Sequence, residues 1–283
     1  AARLGHRALP GQRRQARADL VHEITHALQE QHFGLHAKLR ASTSLDQRHA
    51  LLGMMEGDAA LTRAMFLGAA HATGRAPDPS LVARMSAPAA WAGALMPEAE
   101  ARIIALRYRE GGRWAARRYR RGGWQAIDSL YGVLPTSMAA MLDLPVAPPG
   151  TPTAAPPPGE PRFARGRQNW QRDRLGPTEI YAYLGRCKGL EQIHRAWRDD
   201  QWLLEEGSDG RSRATWRVRL ASRAAARQSM RAMLGHPSPP GTRDSPTVRQ
   251  LGEVLVLEFR PSSRDVAEED GSLAQREPPT SPR

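Results

Sequence analysis

The stretch Val21–Gln31, V-H-E-I-T-H-A-L-Q-E-Q, constrains this chain more than any other. It places His22 and His26 four residues apart with Glu23 beside the first, the H-E-x-x-H pattern. On a helix, positions i and i+4 lie one above the other on one face, so the spacing calls for a helix if both imidazoles are to reach one metal ion. Glu23 is then offset around the helix, where a carboxylate can take a proton from an activated water. Asp19 is expected to cap this helix, and Leu20, Ile24, Ala27 and Leu28 supply an apolar stripe at three-to-four-residue spacing. His32, His36 and His49 make the region generally His-rich. Two histidines alone therefore read equally as a solvated helix face, and a metal site needs a third ligand.

The best third ligand lies on the next helical pattern, Asp46–Leu67, which contains Glu56-Gly57-Asp58-Ala59. Leu45, Leu52, Met55, Ala59, Met65 and Phe66 mark its apolar face, and Glu56 falls close to that face. An unpaired carboxylate there is costly. Zinc held by His22, His26 and Glu56 would satisfy it and leave a fourth coordination position for water. Asp58 or His49 is expected to orient a ligand, Asp58 being favoured as a carboxylate that accepts the distal imidazole N–H. Zinc is expected over calcium or magnesium because imidazoles dominate the donor set. The competing reading makes Glu56 and Asp58 a solvated edge around a helix-weakening glycine.

These residues carry a resemblance. H-E-I-T-H-A-L-Q-E-Q-H-F-G-L from His22 and A-L-L-G-M-M-E-G-D-A from Ala50 resemble a bacterial family, largely uncharacterised, related to the gluzincin type of zinc metallopeptidase. Further similar blocks are Tyr108-Arg109-Glu110-Gly111, Tyr119-Arg120-Arg121-Gly122-Gly123-Trp124, Leu134-Pro135-Thr136-Ser137, Ala196-Trp197-Arg198-Asp199-Asp200-Gln201 and Thr215-Trp216. The resemblance implies His22 and His26 as zinc ligands, Glu56 as the third ligand and Glu23 as general base. It also implies a peptide or protein substrate and an exported or cell-envelope setting. Similar proteins often carry a Leu-His-Pro run after the Pro-x-Ser segment, whereas Met138–Pro145 has no histidine. One of Tyr108, Tyr119 and Tyr131 is a candidate donor to a tetrahedral intermediate in its place.

Bulk properties narrow the alternatives. A chain of 283 residues, 40% hydrophobic, is long enough for a substantial core. No run of 18 apolar residues is present, so no transmembrane helix is expected, and no apolar signal-peptide core follows the start. Cys187 is the single cysteine, which excludes an internal disulfide framework and a cysteine zinc cluster. The formal charge of +12 invites a nucleic-acid reading, but Lys38 and Lys188 are the only lysines and the arginines are dispersed. Arg113–Arg121 is the one local basic patch with interleaved aromatics, and it reads as a helix face more than a phosphate track. Nucleic acid is thus the weakest of the partner classes, and the sequence leaves the oligomeric state open.

The expected fold class is α+β. Residues 1–18 are expected to be poorly ordered and basic. Residues 19–144 form a mainly helical zincin-like domain with the H-E-x-x-H helix and a glutamate-bearing second helix. Residues 145–162 are a proline-rich linker tending to extended structure. Residues 163–260 form a small antiparallel β-β-α-β region, with helices at Thr178–Leu184 and Leu190–Trp197, strands at 202–205, 214–220 and 253–259, a turn at Asp209-Gly210 and a helix capped by Ser222. Residues 261–283 are expected to be disordered. Two function classes follow: a zinc-dependent metallopeptidase, and a non-catalytic binding or cell-envelope protein that keeps the same fold and a structural zinc.

Overall fold

The computed structural model describes residues 10–69, 77–85, 97–145, 169–185, 187–206, 212–234 and 246–259. Helix α1 (Pro10–Phe33) begins nine residues earlier than Asp19 suggests. Proline suits a first helical position because its fixed φ is already helical, and the run that follows is rich in Gln, Arg and Ala. The expectation of a poorly ordered segment to residue 18 is corrected over 10–18, while residues 1–9 lie outside the described residues. Asp19 caps nothing: its carboxylate accepts from Arg63 Nε at 2.9 Å and from Gln15 Nε2 at 3.2 Å.

A second correction concerns which side of α1 faces in. Leu20, Ile24 and Leu28 are 59%, 49% and 48% exposed. The inward face is instead Ala18, His22, His26, Gln29 and Phe33, on the opposite side of the helical wheel. Periodicity finds an apolar stripe but does not say what covers it.

Gly34, in the left-handed region at φ 60°, turns the chain into the short helix α2 (Leu35–Arg40). Ser44 then caps α3 (Leu45–Ala64), its hydroxyl accepting from Gln47 N at 3.1 Å. A π-helical turn, Met65–Ala69, closes α3, and α4 (Pro79–Met85) follows. Helix α5 (Glu98–Asp128) starts just after Pro97 and is interrupted at Gly122 and Gly123, whose backbone angles are non-helical.

Helices α3 and α5 cross at glycines. A Cβ on Gly57 would collide with the carbonyl of Gly111, and one on Gly111 with the carbonyl of Gly53. The glycines that weaken α3 as an isolated helix are what let α5 approach it. Leu35, Leu51, Met54, Leu61, Trp114, Met138 and Met141 fill the core around this crossing.

The second region is a five-stranded antiparallel sheet, not the three strands expected. Strands β1 (Asn169–Asp173), β2 (Trp197–Glu206), β3 (Ser212–Leu220), β4 (Thr247–Leu251) and β5 (Val254–Phe259) lie in the order β1-β2-β3-β5-β4. The two strands missed, β1 and β4, are the five-residue edges, where short polar sequence is favoured and leaves little periodic signal. Helix α6 (Gly176–Tyr183) precedes β2 and α7 (Arg223–Leu234) follows β3. Ser222 caps α7 by accepting from Ala225 N at 3.1 Å. The expected helix over Leu190–Trp197 is a single 3-10 turn, Ile193–Ala196, with β2 already starting at Trp197. The linker from 146 on, the Asp209-Gly210 turn and the tail lie outside the described residues.

The helical and sheet regions touch through α3. Asp46 N donates to Arg174 O, Leu45 N donates to Asp173 Oδ1, and Asp46 Oδ1 accepts from Met138 N, at 2.9, 2.9 and 3.0 Å. Beside this seam the fully buried Asp200 carboxylate accepts from Leu175 N, Gly176 N, Trp197 Nε1 and Trp216 Nε1, each at 2.9 Å. The Trp-Arg-Asp-Asp and Thr-Trp blocks are therefore a buried hydrogen-bond knot. Among the described residues no helix is long and apolar enough to cross a membrane.

Candidate metal centre

Helix α1 presents His22 and His26, and α3 presents Glu56 across from them. His22 Nε2 lies 3.2 Å from Glu56 Oε2, His26 Nε2 lies 3.3 Å from the same oxygen, and the two Nε2 atoms are 3.1 Å apart. Zinc–ligand bonds of about 2.0–2.1 Å in a tetrahedron separate neighbouring ligand atoms by about 3.3 Å. The three atoms therefore have the mutual spacing of three corners of a zinc tetrahedron. Among the described residues this is the one group of three or more His, Cys, Asp or Glu side chains close enough to share an ion. The side chains of His22, His26 and Glu56 keep 12%, 24% and 19% exposure, so solvent reaches the cluster.

The protonation of His26 follows from its neighbour. Gln29 Nε2 donates to Met55 O at 3.1 Å and to Asp58 Oδ2 at 2.9 Å, which commits the amide nitrogen. Gln29 Oε1, an acceptor, then faces His26 Nδ1 at 2.9 Å. Nδ1 must carry a hydrogen, and Nε2 faces the cluster, donating to Glu56 while it is protonated and offering a lone pair once that proton is lost. This is the tautomer a metal ligand needs, fixed by an amide whose own partners fix its orientation.

Electrostatics fit a cation at this point. Burial works against charge on Glu56, but hydrogen bonds from His22 and His26 outweigh it and hold the carboxyl at about 2. Burial likewise works against a charged His26, yet its hydrogen bonds to Glu56 and Gln29 raise its pKa. Two imidazole nitrogens and a carboxylate converging in a half-buried site need either a proton or a metal ion between them.

Tyr108 on α5 completes the cluster. Its ring lies parallel to that of His22, centroids 6.2 Å apart at 10°, and its hydroxyl is near enough to Glu56 for each group to shift the other's ionisation. Burial first, then the Glu56 charge, pushes the phenol pKa up, so Tyr108 remains a donor. Of the three candidate tyrosines it is the one at the cluster. Tyr131 is buried, stacks on Phe33 and donates to Asp58 Oδ2 at 2.6 Å, while Tyr119 packs against Trp124. Glu23 is exposed, and its charge raises the pKa of both His26 and Tyr108.

Two expected positioning residues change place. Asp58 does not accept directly from an imidazole: Gln29 stands between, because three residues beyond His26 its longer side chain shares the inward face. His49 is away from the cluster, with Nε2 3.0 Å from Glu179 Oε1 on α6, so it ties α3 to the sheet region. Gln29 and its relay to Tyr131 were missed by sequence reasoning. The available signal was the Gln in H-A-L-Q, seven residues past His22 and so on the ligand face.

Comparison with protein-family models, curated proteins and solved structures returns no match.

Proposed function

We propose that this chain is a zinc-dependent hydrolase, a metallopeptidase of the gluzincin type that its H-E-x-x-H and E-G-D-A segments resemble. The observation that carries the reading is the convergence of His22 Nε2, His26 Nε2 and Glu56 Oε2 at 3.1–3.3 Å. The tautomer of His26 supports it independently. His22, His26 and Glu56 hold the ion, and Tyr108 and the Gln29–Asp58–Tyr131 relay hold the ligands. Bound zinc supplies Lewis-acid polarisation of a carbonyl and a water made acidic enough to react near neutral pH. Glu23, exposed on the same helix, takes the proton from the attacking water and delivers it to the leaving amine. Structural zinc sites are closed by four protein ligands, whereas here three converge and solvent reaches them, which favours the hydrolase over a purely structural ion.

The test is hydrolysis of a mixed peptide library by zinc-loaded protein, with Glu23→Gln beside it. Cleavage that a chelator abolishes and that is absent in Glu23→Gln at full zinc content is the expected result. Cleavage of equal rate in the variant would remove Glu23 from the chemistry, and full zinc with no cleavage of any peptide would count against a peptidase.

A further inference from the structure

A cationic feature borders the centre and takes no part in holding a metal. Arg107 and Tyr108 are neighbours on α5, four and three residues before Gly111, where α5 crosses α3. They therefore flank the face that α5 turns towards Glu56. Tyr108 reaches Glu56, while Arg107 is within electrostatic range of Glu56, of Glu179 on α6 and of Arg48 on α3. Arg48, Leu52 and Glu56 recur every four residues along one strip of α3, so Arg48 lies two turns, about 12 Å, from Glu56. Arg107 senses both ends of that strip.

Arg107 is half-buried and Arg48 is exposed. Among the described residues Arg107 and Arg48 make no side-chain hydrogen bond or ion pair, and Arg107 Nε is buried without an acceptor. Nearby acidic groups are engaged: Glu56 by the histidines and Tyr108, and Glu179 by His49. Three other α5 arginines spend terminal or Nε donors inside the fold, Arg102 on Tyr181 O and Arg109 and Arg113 on Glu110, although Arg102 Nε, like Arg107 Nε, has no acceptor. A half-buried guanidinium with an unmet donor is costly to keep, and its planar fork matches a carboxylate.

We propose that Arg107, assisted by Arg48, binds a carboxylate of the substrate, so that the enzyme acts on peptides presenting a free carboxylate beside the scissile bond. This rests on the zinc-hydrolase reading above. The carboxylate comes from the chain terminus or from an acidic side chain, and the experiment separates the two.

Binding of three N-acetylated tetrapeptides is measured by calorimetry: a free acid, its C-terminal amide, and that amide with an internal glutamate. The Glu23→Gln background prevents turnover. Arg107→Gln, Arg48→Gln and an exposed control, Arg120→Gln, are compared, each with and without chelator. A carboxylate-bearing peptide is expected to bind about tenfold or more tighter than the neutral amide. That preference disappears in Arg107→Gln, falls in Arg48→Gln and persists in Arg120→Gln. Preference for the free acid identifies the terminus; preference for the internal glutamate identifies a side chain. Equal affinities, no binding of any peptide at millimolar concentration, or a preference that survives in Arg107→Gln would overturn the proposal. If Arg107→Gln does not fold, an unchanged preference in Arg48→Gln overturns it. A protein that never holds zinc yet shows the Arg107-dependent preference would sink the hydrolase reading alone, and zinc without the preference would sink the carboxylate subsite alone.

Discussion

At the scale of single residues, the proposed zinc site has two tiers: His22, His26 and Glu56, which would meet the ion, and Gln29 and Tyr108, which would hold those side chains in place. Gln29→Leu removes the acceptor from His26 Nδ1 and leaves the imidazole free to adopt either tautomer. Zinc affinity, read by competition with a chromophoric chelator, is expected to fall by about 10–100-fold. Tyr108→Phe removes the hydroxyl from Glu56 and is expected to weaken zinc about tenfold with the fold unchanged by circular dichroism. Undiminished affinity in both variants would mean that neither side chain positions a ligand. The convergence of His22, His26 and Glu56 was legible in the sequence because helical geometry puts i and i+4 on one face and because a glutamate near an apolar face needs a partner. Gln29 was not, since a glutamine has no spacing rule and its role depends on Met55 O and Asp58 from another helix. Arg107 was equally hidden: sequence shows an arginine, and only the fold shows that Glu56 and Glu179, the carboxylates within its electrostatic range, already pair with histidines.

At the scale of elements, packing decides what patterning leaves open. The α1 stripe is the plainest case, since its leucines have helical spacing yet face outward. Leu20→Gln and Leu28→Gln are therefore expected to change unfolding free energy by no more than about 0.5 kcal/mol, whereas Met54→Ala on α3 is expected to cost about 2–5 kcal/mol. Denaturant titrations would show it, and a large loss for Leu20→Gln would mean that α1 packs the other way round. Gly57→Ala is expected to destabilise as well, because a methyl there meets the backbone of Gly111 and not a side chain that can yield. Central strand β3 was legible through alternating residues and β2 and β5 through short apolar runs, Trp202–Leu204 and Val254–Leu257. The edges β1 and β4 were not, because an edge strand in polar sequence looks like loop until its partner is known. The short turn at Gly252, in the left-handed region at φ 65°, is what folds β4 onto β5.

At the scale of the whole molecule, α3 is the shared element: its N-terminus joins the sheet region and its middle carries Glu56. Asp46, wholly buried at that seam, is raised to about 7, chiefly by burial. A carboxyl whose folded pKa exceeds its unfolded value of 3.8 binds more protons in the folded state between those two values. Its contribution is complete below the unfolded pKa and is lost as pH rises through about 7. Asp46→Asn, which keeps an acceptor for Met138 N, is thus expected to match wild type near the acid end and to be more stable above neutrality. The gain is on the order of 1–4 kcal/mol, read as the pH dependence of urea unfolding in chelated protein. A variant that is less stable at alkaline pH would show that the carboxylate is charged and useful there. The α+β division was visible in the sequence because proline-rich composition separates two patterned regions; their contact was not, since backbone hydrogen bonds such as Asp46 N to Arg174 O carry no residue signature. The most direct test of the central claim is metal content per chain on protein purified without added metal and then offered zinc, with Glu56→Ala alongside. About one zinc per chain, bound tightly in wild type and lost in a variant whose helices remain intact, is the expected result. Wild-type protein that retains its helices and takes up no zinc would contradict it.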